Sequence, residues 1–161
     1  MKIRKKITIT LKEYFLFNVG LIKKTLITYV IALIPVVILF NGITNGFNLN
    51  QLKFWLDTVL FYAIGLVVLL TYYLLLVYFA SKKAYLPNKK YYENIDMMID
   101  EEGIHQYGDG AESHITYDKI YQLKETRSTL IILLSPRQGM ILPKKGFNNE
   151  EILEIKKLIK K

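Results

Sequence analysis

The sequence predicts a membrane α-helical hairpin of two transmembrane helices joined to a small α+β domain, a β-meander ending in one helix. Three observations carry this expectation. Residues 58–80 read TVLFYAIGLVVLLTYYLLLVYFA without a charged side chain. At about 1.5 Å of rise per residue, a run of that length crosses a ~30 Å hydrocarbon core. Residues 25–40, TLITYVIALIPVVILF, form a second uncharged run. Beyond residue 90 the composition changes to short stretches of alternating apolar and polar residues divided by Gly and Pro, the pattern of strands and turns.

At the N-terminal end, residues 1–24 read as a strand and an amphipathic helix. Lys6-Ile7-Thr8-Ile9-Thr10 alternates as a half-buried strand does. Thr10 precedes Glu13 by three residues, a capping-box pattern in which each side chain satisfies a free backbone N–H at a helix start. The helix so opened carries Leu11, Phe15, Val19 and Ile22 at helical spacing. It fits a helix lying in the headgroup layer, the alternative being a plain extension of the first span.

Residues 25–81 form the expected transmembrane hairpin, with helices at about 22–43 and 56–81. Pro35 inside the first predicts a kink that neighbouring groups can satisfy. A secretory signal is the rival reading, but the apolar run starts late and no small-residue cleavage site follows it. Asn41-Gly42, Asn45-Gly46, Asn48 and Asn50 mark a turn region, and so short a link makes the spans antiparallel. Lys2, Arg4, Lys5, Lys6, Lys12, Lys23 and Lys24 precede the first span, Lys53 stands alone in the loop, and Lys82, Lys83, Lys89 and Lys90 follow the second. The positive-inside bias then puts both termini in the cytoplasm of a multi-pass protein of the plasma membrane. Lys23, Lys24, Trp55, Tyr78, Lys82 and Lys83 are the expected membrane-interface residues. Thr71, Tyr72 and Tyr73 lie nearer mid-span, where their hydroxyls are expected to pair with the first helix.

Residues 82–90 read as a linker and residues 91–161 as a cytoplasmic β domain with a C-terminal helix. Ile95, Met97 and Ile99 alternate with polar neighbours, Glu101-Glu102-Gly103 makes a tight turn, and Ile104 to Tyr107 resumes the alternation. Gly108-Asp109-Gly110 turns the chain again. Residues 114–123, 130–134 and 139–142 are further strand candidates. Asn148-Asn149-Glu150-Glu151 then caps a helix with Ile152, Ile155, Leu158 and Ile159 on one stripe and Lys156, Lys157, Lys160 and Lys161 in its last turn. A meander of about six strands with one amphipathic helix suggests a small rolled sheet or barrel plugged by that helix.

Composition narrows the chemistry. The chain is 52% hydrophobic with a formal net charge of +8 and no cysteine. Disulfides, thiolate metal sites and a cysteine nucleophile are therefore excluded. The basic N-terminal segment abuts an apolar span, which favours anionic lipid headgroups over nucleic acid. Richness in Ile, Lys, Asn and Tyr points to an AT-rich bacterial gene. The acids and histidines gather between Asp96 and Asp118, with His105 and His114 among them, but in turns and on outward strand positions rather than at metal-ligand spacing. Ser113 and His114 point to opposite faces of a strand, and Gly108-Asp109-Gly110 has no helix after it to make a phosphate loop. No catalytic, cofactor or metal site is expected.

The residues resemble a known family. Glu102-Gly103-Ile104, then Ser113, Ile115, Tyr117 and Ile120, then Ile141-Leu142-Pro143-Lys144-Lys145-Gly146-Phe147 and a terminal helix resemble the C-terminal domain of YcxB-like bacterial membrane proteins. Thr10, Glu13, Tyr14 and the two spans are similar to that family's layout. Tyr117 stands where a tryptophan is expected. The resemblance implies a pleckstrin-homology-like fold on a membrane hairpin and implies no activity.

The expected function is thus non-enzymatic: an integral membrane protein presenting a cytoplasmic module for a protein segment or an anionic lipid headgroup. Lys119, Lys124, Arg137, Lys144 and Lys145 are the candidate contacts, the bland alternative being an ordinary solvated basic face. The expected partners are the bilayer, its anionic headgroups or a membrane protein, with no cofactor and no nucleic acid. A second expectation is immunity against a bacteriocin or secreted toxin, carried by the outer loop and the spans. An ion pathway lacks the intramembrane charge it needs.

Overall fold

The computed structural model describes residues 2–47, 49 and 51–159. Asn48, Asn50, Lys160 and Lys161 lie outside the described residues, as does the side chain of Lys24. In chain order the elements are β1 (Ile3–Ile7), α1 (Leu11–Asn45), α2 (Leu52–Tyr85), α3 (Lys89–Glu93), β2 (Ile95–Ile99), β3 (Ile104–Gly108), β4 (Ala111–Ile115), β5 (Gln122–Glu125), β6 (Thr129–Ser135), β7 (Gln138–Pro143) and α4 (Asn149–Ile159). They form two units, residues 22–78 and residues 1–21 with 79–161.

The first unit is a helix pair, and both helices are long and apolar enough to cross a membrane. α1 runs unbroken through Pro35 and on to Asn45, so Asn41-Gly42 lies inside the helix rather than in a turn. The reason is a side chain. Asn41 is fully buried and donates from Nδ2 to the Phe54 carbonyl at 2.8 Å and to Thr58 Oγ1 at 2.7 Å, while its Oδ1 accepts from Asn45 Nδ2 at 2.7 Å. An amide that bridges two helices is worth more in the helix than at a turn. Further along, the Tyr62 hydroxyl donates to the Val30 carbonyl at 3.2 Å, and Gly65 lets Leu33 approach to 3.4 Å from where a Cβ would stand. Tyr62 thus makes a cross-helix bond of the kind expected of Tyr72, which is instead 62% exposed.

The second unit holds two antiparallel sheets, ordered β1-β2-β3-β4 and β5-β6-β7. β1 lies beside β2 with Ile3 opposite Ile99 and Ile7 opposite Ile95, so the N-terminal strand is an edge of the module sheet. The helix after Thr10 is the opening of α1 itself, and Phe17 is buried in the module core. Thr10 and Glu13 close the expected capping box, with Thr10 N donating to Glu13 Oε2 at 2.8 Å and Glu13 N to Thr10 Oγ1 at 3.3 Å. The segment read as a linker is helical: α2 continues to Tyr85, a 3-10 turn covers Leu86–Asn88, and α3 follows. Tyrosines hold it. Tyr85 and Tyr92 stack at 5.2 Å, Tyr14 packs on Tyr92 at 5.2 Å, and the buried Tyr85 hydroxyl donates to the Ile9 carbonyl at 3.0 Å. Asn18 Nδ2 reaches Ser81 Oγ at 3.0 Å.

Residues 114–123, read as one strand, are two. β4 ends at Ile115 and a 3-10 turn over Tyr117–Lys119 carries the chain from one sheet to the other before β5. Tyr117 fixes that crossing by donating its hydroxyl to the Asp100 carbonyl at 2.5 Å, and burial pushes its pKa up to about 12. Alternate residues of β1, β2 and β3 and consecutive ones of β6 and β7 meet in one apolar core with Ile152 and Ile155 of α4. α4 starts on a reciprocal cap, Glu151 N donating to Asn148 Oδ1 at 2.7 Å and Asn148 N to Glu151 Oε2 at 2.9 Å. Lys5 of β1 pairs with Glu151 at 3.0 Å, tying the helix to the first sheet.

Candidate functional site

The β5–β6 connection begins the site. Glu125 ends β5, and residues 126–129 turn the chain under a tight set of threonine bonds: Thr126 N to Thr129 O at 2.9 Å, Thr129 N to Thr126 Oγ1 at 3.0 Å, and the two hydroxyls 2.7 Å apart. Such local side-chain bonding rigidifies a turn. It leaves Arg127 and Ser128 exposed at the tip. The Ser128 carbonyl accepts from Lys144 N at 2.8 Å, which fastens the tip to the 3-10 turn Lys144–Gly146 after β7.

Between this tip, the 3-10 turn and α4 lies an open groove of 710 Å³ whose lining includes Arg127, Lys144, Lys145, Lys156, Glu125 and Glu13. Its charges are only partly matched. Glu125 accepts from Lys144 at 2.6 Å and pairs with Lys156 at 2.5 Å. Lys144 first, then Lys156, hold the Glu125 carboxyl down at about 2. Lys144 is only 19% exposed, so its ammonium belongs to this pair rather than to solvent. Glu13 is turned into its own cap, accepting from Thr10 N and Thr10 Oγ1. Among the described residues, Arg127 and Lys145 of this groove carry no ion pair. The lining can therefore hold an anion, with a planar guanidinium suited to phosphate or carboxylate oxygens.

Of the five basic residues expected to make contacts, Lys144 and Lys145 line the groove. Lys119 lies on the 3-10 turn after β4, Lys124 is exposed on β5, and Arg137 is exposed at the β6–β7 turn; none of these three lines it. Glu125 and Lys156 joined the site without a sequence signal except one. Lys156 follows Ile152 by one helical turn, on the flank of the apolar stripe. Of the residues expected at a membrane interface, Lys23 is exposed on α1, Lys82 and Lys83 are exposed in the last turn of α2, Tyr78 lies on α2, and Trp55 donates from Nε1 to the Leu49 carbonyl at 2.8 Å.

The acidic stretch folds into the other sheet. His105 and His114 are opposite each other on β3 and β4 with rings stacked at 4.1 Å, and His105 Nε2 is buried without a hydrogen bond, 3.7 Å from Asp100 Oδ1. Stacked rings hold their lone pairs in parallel planes, so the two imidazoles do not converge on one point. Among the described residues no three His, Asp or Glu side chains gather as a ligand set.

Comparison with known proteins agrees with the family resemblance over part of the chain. Residues 99–159 match the family described as YcxB-like protein, so this segment is similar to that family. The match takes in β3 to β7, both walls of the groove after β5, and α4. No curated protein and no solved structure matches the chain.

Proposed function

We propose that the chain is a non-enzymatic integral membrane protein whose YcxB-like domain, completed by β1 and the start of α1, is a cytoplasmic binding module for an anionic ligand. The ligand is an anionic lipid headgroup or an acidic protein segment. One observation carries this reading: a groove in which Glu125 pairs with both Lys144 and Lys156, offsetting one of their two charges, and Arg127 and Lys145 carry no ion pair among the described residues. A pre-ordered turn loses little backbone entropy on binding, so the ordering cost there is confined to the side chains that meet the ligand.

Location is inferred from the two apolar helices together with the lysines that flank them. Four strands in one sheet, three in the other and a C-terminal helix support the pleckstrin-homology-like reading.

The test uses the whole chain in lipid nanodiscs, with amide exchange read at residues 125–128 and 144–149. Exchange is expected to slow when phosphatidylglycerol replaces phosphatidylcholine or when an acidic decapeptide is added, and to recover with salt. Unchanged exchange with both probes overturns the reading.

A further inference from the structure

Beside the basic groove lies a second cavity of 290 Å³ lined by Glu13, Leu16, Phe17, Thr126, Arg127, Ser128, Thr129 and Ile131. The two share Glu13, Arg127 and Ser128, so they open on a common rim at the β5–β6 tip. Their linings differ in kind. The groove is cationic, whereas Leu16, Phe17 and Ile131 make the cleft apolar, with Leu16 51% exposed. We infer that groove and cleft are one site, and that its ligand is a single anionic phospholipid molecule, its phosphodiester at Arg127 and Lys145 and the start of its acyl chains in the cleft. This rests on the reading that the module binds an anionic ligand at a membrane.

The chemistry of the walls selects this ligand. A phosphodiester carries one negative charge and two free oxygens, which the fork of Arg127 matches while Lys145 supplies a point charge. Ser128 and Asn149 add a hydroxyl and an amide for the polar headgroup beyond the phosphate. Glu125 and Glu13 offset part of the charge of the four cations in the lining, so a ligand of many charges meets only a small net positive charge here. An inorganic phosphate or a hydrophilic acidic peptide would satisfy the cations and leave the exposed surface of Leu16 and Ile131 in water. An amphiphile covers both. The two volumes fall at the scale of small-molecule pockets, which are mainly apolar with a few placed polar groups. In the chain, Leu16 and Phe17 precede the uncharged run from Thr25 by a few helical turns.

The experiment places the whole chain in phosphatidylcholine nanodiscs doped with phosphatidylglycerol that carries a photoreactive group near the top of one acyl chain. Cross-links are expected on the peptides holding Leu16, Phe17 and Ile131. The same group on phosphatidylcholine is expected to label them roughly tenfold less, the scale of one charge-assisted contact. Arg127→Gln with Lys145→Gln is expected to lower labelling by a similar factor with the melting temperature unchanged. Lys119→Gln with Arg137→Gln is the control and is expected to leave labelling intact. Equal labelling by the two lipids, or labelling confined to residues 22–78, overturns the inference. Protection by the acidic decapeptide alone overturns it while the anionic-ligand reading stands; lipid binding lost only in the control pair overturns both.

Discussion

The two sheets of the module share a core and dispose of their charges in opposite ways. In the β1–β4 sheet Asp96 and Asp100 are answered locally. Asp96 takes two bonds from Arg4 Nε at 3.0 and 3.1 Å, which hold its carboxyl below the usual range. Asp100 accepts from the backbone of Glu102 and Gly103 at 3.0 and 3.3 Å in the β2–β3 turn. In the groove between the β5–β7 sheet and α4, one carboxylate serves two lysines, and among the described residues Arg127 and Lys145 of its lining carry no ion pair. What a ligand meets is the charge left over after neighbours have paired, not the count along the chain.

The strongest way to break this comparison is to remove what the sheets have in common. Residues 91–161 alone lack β1, Ile9 and Phe17, all of which supply buried apolar side chains. That fragment is expected to show no cooperative unfolding transition and fast amide exchange throughout. A cooperative fragment would mean that the acidic sheet stands without its N-terminal edge strand. Next in size is Ile155→Ala in the whole chain, where a wholly buried side chain is lost at a cost of about 2–5 kcal/mol. Exchange in β2 and in β6 should rise together; a change confined to one sheet would divide the core. Tyr85→Phe removes the bond to the Ile9 carbonyl and should cost about 0.5–1.5 kcal/mol by denaturant titration.

Glu125→Gln sharpens the contrast through pH. Its carboxyl sits at about 2 in the folded chain against an ordinary 4.5. A lowered pKa contributes stability that is fully present above 4.5 and is lost as pH falls from 4.5 toward about 2. The variant should therefore lose less stability than the parent across that window, read from melting curves at successive pH values. The smallest effect on folding belongs to Arg127→Gln with Lys145→Gln. Both side chains are exposed and unpaired, so stability should stay within about 0.5 kcal/mol while the response to anionic lipid falls.

Much of this architecture was legible from periodicity and caps. Thr10 with Glu13 and Asn148 with Glu151 announce their helices, and Ile95, Met97 and Ile99 face the core as their alternation requires. Three features escaped for physical reasons. Asn41 looks like a turn residue because its partners, Phe54 and Thr58, lie across the helix pair. The pairing of β1 with β2 joins residues far apart in the chain, which no local pattern encodes. In the site, Lys145 was readable as a basic residue in a loop, but the withdrawal of Lys144 into a pair depends on where β5 and α4 bring Glu125 and Lys156.

The position of β1 also sets a timetable. Ile3 must wait for Ile99 before the first sheet can close. At about 5–20 residues per second of synthesis, that is an interval of roughly 5–20 s in which the strand has left the ribosome without its partner. Both long helices are made within the same interval. Closure of the module is thus a late event that certifies the complete passage of everything between its two halves, and a chain stalled inside α2 would display an unpaired edge strand as the mark of its incompleteness.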